Sequence, residues 1–302
     1  MTQPDREPQV ASKSAYSTGR RLRACEWALI SFFVYIAAIS PGFHLRSQLR
    51  SVPFLIAAGV LVLILALAYA EDHPRLRRGI SYARDWIPLI LVLTAYREMD
   101  WFTPKYSDHH LEKLWIHWDR VLLHDSGLQL LIERAGPWLP NLLELSYLLV
   151  YAVGPFSVAI LYILHRRAAM GKVLFVYVVG TVAAYGLFPY FPSSPPRAVF
   201  PGLDLPAANT LLRRLNLFLV GDYGIHSSVF PSAHVSSAFS AAWAMLMYLP
   251  DRRRVGWGML IYAVLVSIAT VYGRYHYAVD ALAGLGVSLA AAALGAWLFR
   301  RA

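Results

Sequence analysis

Eight long apolar segments constrain this chain more than any other feature of its 302-residue sequence. A helix needs roughly 20 apolar residues to cross a hydrocarbon layer about 30 Å thick, and it is favoured there because it satisfies its own backbone polar groups. The segments therefore predict transmembrane helices and an all-α integral membrane protein. The predicted spans, of which the third is the shortest, are 25–39, 53–70, 86–98, 142–164, 172–190, 233–249, 257–273 and 277–299.

The distribution of basic residues decides between two kinds of partner, a nucleic acid and a membrane. The chain carries a net charge of +10. Its Lys and Arg residues cluster in short turns such as "HPRLRRG", "HRRAAMGK" and "DRRRVG", and they do not form one stripe with stacking aromatic side chains. Short basic loops are typical of the cytoplasmic side of a membrane protein. We therefore expect no nucleic-acid partner, a cytoplasmic N-terminus and a multi-pass protein of the plasma (inner) membrane.

The sequence divides into a short polar N-terminal segment and one membrane domain. Residues 1–20 are rich in Ser, Gln, Pro and charge, which predicts a disordered cytoplasmic N-terminus. Residues 21–302 form a single multi-span membrane domain with no clear internal repeat. The one cysteine, Cys25, excludes an internal disulfide.

The longest non-spanning region, 99–141, contains "LEKLWIHWDRVLL", whose apolar residues recur at helical spacing. This pattern predicts a helix that lies in the membrane interface. His117 and His124 lie two turns apart there, so a metal site is one interpretation. We favour two polar-edge histidines and predict no metal, because no further ligand is spaced to complete a tetrahedral shell.

The connection at 191–232 is where a site could be built. Six prolines between residues 189 and 206 exclude a continuous helix. Irregular backbone at membrane depth must be buried in protein or line a wet cavity. Arg197, in "SSPPR", lies in this connection and follows the span that ends near residue 190.

Two motifs flank the last pair of predicted helices: "FPSAHVSSAF" at 230–239 and "YGRYHYAVD" at 272–280. One helix descends from about residue 233 and the next returns, so His276 comes back to the face where His234 began. Counting eight spans places this face on the non-cytoplasmic side. Ser232 is a candidate N-cap, and because the free N–H groups of a helix N-terminus attract phosphate, we predict that Ser232 contributes to phosphate binding.

The side chains in these motifs suit phosphoryl transfer. His276 and Asp280 are four residues apart and share a helix face, so the carboxylate can fix the imidazole tautomer and leave the other nitrogen as nucleophile or base. Arg197 and Arg274 carry forked donors that match phosphate oxygens. The sequence thus predicts a site, without metal or cofactor, in which one histidine attacks phosphorus and the other protonates the departing oxygen.

The two motifs in this order, "FPSAHV" and then "TVYGRYHYAVDALAG", resemble the type 2 phosphatidic acid phosphatase superfamily, and within it the branch that contains inositol phosphorylceramide synthase. "ARDWIPLILVLTAYR" at 83–97 and "FPSSPPR" are also similar to that branch, so the resemblance covers roughly residues 83–290. It implies a six-helix phosphatase-type core, here about 83–299, preceded by two extra transmembrane helices. The implied active site lies at the non-cytoplasmic end of that core.

The resemblance also implies roles for individual residues. His276 would be the nucleophile that forms a phosphohistidine, Asp280 its orienting partner, His234 the general acid and then base, and Arg197 a phosphate ligand. The chain departs from the broader superfamily at two positions that carry a Lys and an Arg there. Tyr190 and Thr270 stand at these positions, and Arg274 is the candidate replacement for the second.

We therefore predict a membrane-embedded lipid phosphatase or phosphotransferase that acts on a lipid phosphate or phospholipid, with a hydroxyl acceptor in the case of transfer. The alternative is a transporter or flippase for a lipid-linked or anionic substrate, in which buried acids such as Asp280 and Glu144 mark a permeation path. A transporter gives no reason for two histidine motifs that meet at one face. Glu144 has two open interpretations: it pairs with an arginine or it recognises the substrate.

Overall fold

A computed structural model of the protein describes residues 22–43, 45–102, 109–226 and 228–300, so the predicted disordered segment 1–20 lies outside the described residues. The described residues are predominantly helical and include no β-strand. In chain order the helices are α1 (Ala24–Ile39), α2 (Val52–Ala70), α3 (Arg77–Met99), α4 (His110–Arg120), α5 (Leu128–Arg134), α6 (Trp138–Leu149), α7 (Val153–Ile163), α8 (Met170–Leu187), α9 (Pro196–Val199), α10 (Leu211–Asp222), α11 (Ala233–Tyr248), α12 (Arg253–Tyr272) and α13 (Ala278–Leu298).

Six helical segments of the described chain are long and apolar enough to cross a membrane, which confirms an all-α membrane protein. They are Ala24–Gly42, Ser47–Ala70, Trp138–Ile163, Arg167–Tyr190, Pro250–Tyr272 and Ala278–Leu298. The other two predicted spans are also helical, as α3 and α11, and α11 has only 16 residues. That these two helices cross the bilayer stays a prediction.

Helix α3 is longer than its predicted span, 86–98. It has 23 residues and begins at Arg77, because Arg84 and Asp85 are buried in ion pairs that allow the helix to continue through charged sequence. Arg84 binds Glu26 of α1, with 2.5 Å between Nη2 and Oε2. Asp85 binds both Arg23 at 2.6 Å and Arg167 at 2.7 Å. This charged cluster joins α1, α3 and the start of α8 at one end of the bundle.

Helix α8 lies at the centre of the bundle and packs against α1, α3, α11 and α13. Small residues bring α8 and α11 close together: a Cβ atom on Gly180 would lie 1.9 Å from Ser240 Oγ. Ser236 Oγ also donates a hydrogen bond of 2.7 Å to the carbonyl of Gly180. Close approach of this kind is the usual way in which helices associate within a membrane.

The predicted amphipathic helix in region 99–141 is present as α4, which a π-helical turn at Val121–Asp125 extends. Its Trp115 is 6% exposed, whereas Leu114 and Trp118 are about half exposed, at 49% and 47%. One apolar face therefore packs on the protein while another points outward. Its position in the membrane interface stays a prediction.

Candidate active site

Two histidines and an aspartate, drawn from two separate motifs, form one hydrogen-bonded line. His234 Nδ1 lies 3.2 Å from His276 Nε2, and His276 Nδ1 lies 3.3 Å from Asp280 Oδ2. With Asp280 ionised, His276 Nδ1–H donates to the carboxylate, which leaves Nε2 to accept a hydrogen bond from His234. The structure therefore brings together the three residues predicted to be catalytic.

Hydrogen bonds that involve the backbone hold the two motifs together. Ser232 caps α11 by accepting the Val235 N–H at 3.4 Å, as predicted, and its own N–H donates to the carbonyl of Asp280 at 2.9 Å. The Asp280 carboxylate also accepts the Tyr277 N–H at 2.9 Å, which fixes the first turn of α13. Gly284 permits the close approach of α13 to Ser232, since a Cβ atom at this position would lie 2.5 Å from the Ser232 carbonyl oxygen.

The environment of His276 favours its neutral form. The side chain is buried between α12 and α13, and burial, reinforced by the positive charge of Arg197, lowers its pKa to about 3. Neutral imidazole retains a lone pair on one nitrogen at neutral pH. This is the protonation state that a nucleophile or a general base requires.

Arg197 brings a positive charge to this site. Helix α9 carries it, and its backbone N–H donates to the carbonyl of Arg274 at 3.3 Å. Its guanidinium lies 5.4 Å from the ring centre of Tyr275, in cation–π geometry. Arg197, His234 and His276 line the same cavity, so a phosphate bound beside the histidines would have an arginine within that cavity.

Two other residues predicted to bind phosphate lie elsewhere. Arg274 adopts a left-handed backbone conformation, with φ of 61°, and its Nη1 is 3.0 Å from Asp119 Oδ2. Ser232 is fully buried and uses its hydroxyl oxygen as the helix cap. Neither is among the described residues that line the cavity. The structure therefore brings Arg197, but not Arg274 or Ser232, to the cavity of the two histidines.

The cavity has a volume of about 520 Å³, within the usual range for small-molecule sites. One wall is a stripe of α3, from Trp86 to Tyr96, which at 1.5 Å per residue runs for about 15 Å away from the histidines. Ile90 and Leu93 on this wall are 58% and 60% exposed, so the cavity adjoins the outer surface of the bundle. The tyrosines that line it are Tyr96, Tyr147, Tyr151, Tyr177, Tyr185 and Tyr275.

Comparison with known proteins identifies the family. A family model described as the PAP2 superfamily matches residues 114–294, more than half of the chain. The chain belongs to the PAP2 superfamily. It is also 29% identical, over 176 residues, to a PA-phosphatase related-family protein of Dictyostelium discoideum, and the match covers 49% of this chain and 30% of that relative. No solved structure gives a significant match.

Membership of the PAP2 superfamily favours a lipid phosphatase-type function over the transporter alternative. It does not separate the inositol phosphorylceramide synthase branch from others. At the two positions where this PAP2 protein departs from the broader pattern, the structure shows other uses of the residue. Tyr190 OH contacts Tyr35 OH at 3.2 Å, and the carbonyl of Thr270 accepts the N–H groups of Tyr275 and His276 at 2.9 and 3.0 Å.

Glu144 pairs with an arginine, so the first of its two interpretations is confirmed. Arg213 Nη1 lies 2.9 Å from its Oε1, and Asn216 Nδ2 donates to its Oε2 at 2.7 Å. The same carboxylate accepts the hydroxyl of Tyr275 at 2.7 Å. Tyr275 in turn stacks on Tyr147, with ring centres 3.9 Å apart. This network fixes α10 and the tyrosine that lies beneath Arg197.

Sequence reasoning did not single out Asp119 or Tyr147 of this PAP2 protein. Asp119 is 1% exposed and contacts the turn that carries His276. The available signal was its spacing of four residues from Trp115, which places an acid on the buried face of an amphipathic helix. The ring centre of Tyr147 lies 5.2 Å from that of His234. The available signal for Tyr147 was its spacing of three residues from Glu144, which places it on the same helix face as that acid.

The described residues contain no group of three or more His, Cys, Asp or Glu side chains that could hold a metal. Within that part of the chain, no third ligand accompanies His117 and His124, so nothing there supports a metal site at these two histidines. His124 is exposed and its Nδ1 lies 3.3 Å from Asp125 Oδ1. This matches the interpretation of His124 as a polar-edge residue of an exposed helical turn.

Proposed function

We propose that the protein is a membrane-embedded lipid phosphatase or phosphotransferase that acts through a phosphohistidine at His276. The observation that carries this proposal is the line His234–His276–Asp280, buried at one end of an apolar cavity that also contains Arg197. Family membership supports the same class of reaction, as does the similarity to the PA-phosphatase related-family protein of Dictyostelium discoideum.

The proposed reaction has two steps, transfer of the phosphoryl group to His276 and its transfer onward to an acceptor. In the first, His276 Nε2 forms a bond to phosphorus while the bond from phosphorus to the lipid oxygen breaks, and His234, acting as an imidazolium cation, gives a proton to that oxygen and becomes neutral. In the second, water or a hydroxyl attacks phosphorus, His234 takes the proton, and the bond to His276 breaks. Arg197 stabilises the charge on the phosphoryl oxygens in both steps.

Substrate binding must separate the two imidazoles. Their nitrogens are 3.2 Å apart, whereas an attacked phosphorus alone requires about 3–3.5 Å from the nucleophile. A phosphoryl group inserted between them would break the contact between His234 and His276. The contact between His276 and Asp280 would remain, because Asp280 binds the opposite ring nitrogen, Nδ1.

The cavity supports a lipid as the substrate. Its α3 wall is formed largely by apolar side chains and extends for about 15 Å, at 1.5 Å per residue from Trp86 to Tyr96. A hydrocarbon tail can lie along this wall while the phosphate meets Arg197 and the histidines. The exposure of Ile90 and Leu93 supports contact between the outer side of this wall and the bilayer.

Hydrolysis and transfer share the first step and differ in the acceptor. The resemblance to the inositol phosphorylceramide synthase branch supports transfer to a lipid or headgroup hydroxyl. Acceptor choice depends on which molecule, water or hydroxyl, reaches the phosphoenzyme inside the cavity. Mass spectrometry of products formed in extracts of the source cell, with and without purified protein, identifies the acceptor.

We also propose that the active site faces the non-cytoplasmic side of the plasma membrane and that the N-terminus is cytoplasmic. The charged cluster and the basic turn at Arg252–Arg254 lie at the opposite end of the bundle from His276, as the positive-inside rule requires. Cys25 is fully buried, so single cysteines at exposed Leu211 and Arg254 can report orientation. A membrane-impermeant maleimide should label Leu211→Cys, but not Arg254→Cys, in intact cells.

The decisive experiment measures phosphate release from phosphatidic acid in detergent micelles, with a chelator present and no added metal. We expect release by the purified wild type and a ³²P-labelled protein intermediate that is labile in acid and stable in base. Release that requires an added metal ion would contradict the metal-independent mechanism. Release without any labelled protein under rapid quenching would contradict the phosphohistidine.

A further inference from the structure

Helix α4 covers the active site with a single face. Glu112, Trp115 and Asp119 are spaced by three and four residues, so they point to the same side of the helix. Their exposed fractions are 1%, 6% and 1%. Together they contact the three chain segments that carry the site, although α4 itself contributes no residue to the cavity lining described above.

Asp119 contacts the turn that carries His276 at two points, one before and one after the histidine. Its Oδ2 lies 3.0 Å from Arg274 Nη1, two residues before the histidine. Its Oδ1 accepts the N–H of Ala278 at 2.8 Å, two residues after the histidine. One carboxylate therefore fixes both ends of a five-residue turn whose centre is the proposed nucleophile.

The other two residues on this face hold the neighbouring segments. Trp115 stacks on Phe230, with ring centres 5.2 Å apart, and meets the edge of Tyr277 at 5.6 Å. Glu112 Oε1 accepts the N–H of Ser194 at 3.0 Å, in the segment that leads to Arg197. Asp119 differs from both in that its two oxygens contact residues on either side of His276.

A buried ion pair is a costly way to stabilise a fold, because both charges lose their hydration. Asp119 and Arg274 are each 1% exposed, and Arg274 also adopts a left-handed backbone conformation. Non-glycine residues in that conformation carry local strain that the surrounding structure must hold in place. The carboxylate supplies that restraint through the Arg274 side chain and through the backbone beyond His276.

We propose that Asp119 is a positioning residue that fixes the His276 imidazole for attack on phosphorus by bracing Arg274 and the backbone N–H of Ala278. Arg274 then serves the nucleophile through Asp119 and is not a ligand of the substrate phosphate. This inference rests on the proposed function. A displacement of about 1 Å at the nucleophile is enough to cost roughly 100-fold in rate.

The test separates kcat from KM for phosphatidic acid in detergent micelles, with thermal unfolding measured on the same samples. We expect Asp119→Ala to lower kcat by about 100-fold and to change KM by less than about twofold, because the substrate does not contact Asp119. Asp119→Asn keeps an acceptor for the Ala278 N–H but loses the ion pair. It should therefore recover only part of the lost rate, about a tenth of the wild-type kcat, and this partial rescue by the closer analogue is not expected from loss of stability alone.

Asp125→Asn is the matched control, since Asp125 follows the same helix and its side chain is 63% exposed; its kcat and KM should equal those of the wild type. Arg274→Met should reproduce the fall in kcat at unchanged KM. If Arg274→Met or Asp119→Ala instead raises KM at unchanged kcat, the pair binds substrate and the proposal is wrong. Should Asp119→Ala fail to fold, folded Asp119→Asn with wild-type kcat overturns the proposal.

The same assay separates this proposal from the proposed function. Wild-type protein that forms no phosphoenzyme and releases no phosphate overturns both. An active wild type that loses activity with His276→Ala, but keeps it in folded Asp119→Ala, supports the function and overturns only the positioning role.

Discussion

His234 Nδ1 and His276 Nε2 lie 3.2 Å apart although 42 residues separate them in the chain. The contact joins the first turn of α11 to the turn between α12 and α13, so it depends on the antiparallel return of α12. Asp280 engages the opposite nitrogen of His276. Because the three groups form a line, each histidine can be tested for a different part of the proposed reaction.

His276→Ala should reduce phosphate release from phosphatidic acid to the uncatalysed background and abolish the labelled intermediate. His234→Ala should lower the rate by about 10²–10⁴-fold, the usual worth of a placed acid or base. For p-nitrophenyl phosphate the His234→Ala defect in phosphoenzyme formation should be much smaller, because that leaving group needs no proton. Exposed His124→Ala, the control, should behave as wild type.

Equal defects of the two histidine variants on both substrates would contradict the division of roles. Phosphate release that survives His276→Ala would remove that residue from the mechanism.

The fold and the histidine line could be predicted because both depend on local sequence patterns. Apolar length marks the spans, and an antiparallel helix pair must return His276 to the level of His234. The spacing of four between His276 and Asp280 likewise predicts a contact on any helix face. The structure confirms the helices with ends shifted by a few residues, with two exceptions: α3, whose upstream turns are charged, and the span 142–164, which a 3₁₀ turn at Val150–Ala152 divides into α6 and α7.

The partner of Arg274 could not be predicted in the same way. Asp119 precedes Arg274 by 155 residues, and α4 is not a span whose position follows from counting crossings. Its placement depends on how Trp115 packs against Phe230 and Tyr277. An arginine two residues from a histidine suits a phosphate ligand equally well until the packing of α4 is known.

Arg197→Ala should lower kcat/KM by roughly 10²–10³-fold, the usual loss when one donor to a developing charge is removed. Arg197→Lys should recover only part of that loss, because an ammonium group lacks the planar fork that binds two phosphate oxygens. Steady-state kinetics with phosphatidic acid measure both. Arg214→Ala is the control, since this arginine of α10 is exposed. A fully active lysine variant would show that charge alone suffices.

Gly284→Ala and Gly286→Ala form a matched pair within α13. A Cβ atom at Gly284 would lie 2.5 Å from the Ser232 carbonyl oxygen, whereas one at Gly286 would meet nothing within 4 Å. We expect Gly284→Ala to cost roughly 1–3 kcal/mol of unfolding free energy and to lower activity, because it pushes the two motifs apart. Gly286→Ala should be neutral or stabilising by up to about 1 kcal/mol. Thermal unfolding and phosphate release, measured in parallel, should therefore both rank Gly284→Ala below Gly286→Ala.

The lowered pKa of His276 predicts a dependence of stability on pH. Its pKa falls from 6.5 to about 3 on folding, because of burial and the charge of Arg197. Between these pH values the unfolded chain takes up a proton that the folded protein refuses, so the unfolding free energy decreases as pH falls through that window. His276→Gln removes this contribution, and its stability curve should be flatter from pH 6.5 downward. Parallel curves for the two proteins would show that His276 titrates alike in both states.

Two ion pairs at opposite ends of the bundle should differ sharply in their effect on stability. Glu144 and Arg213 are 3% and 8% exposed, so Glu144→Ala leaves a buried guanidinium without its carboxylate and should cost about 3–5 kcal/mol. Arg166 and Asp251 are 46% and 44% exposed, so Asp251→Ala should leave the unfolding midpoint unchanged within error. Thermal unfolding in one detergent compares them directly.

Glu144→Ala should also weaken catalysis, because it releases both Arg213 of α10 and the hydroxyl of Tyr275, whose ring lies beneath Arg197. Tyr275→Phe isolates this second effect: it removes the hydrogen bond to Glu144 but keeps the aromatic face under the guanidinium. We therefore expect Tyr275→Phe to retain most of the activity that Glu144→Ala loses. A Tyr275→Phe protein as inactive as Glu144→Ala would mean that the hydroxyl, and not the packing of α10 by Arg213, governs the position of Arg197.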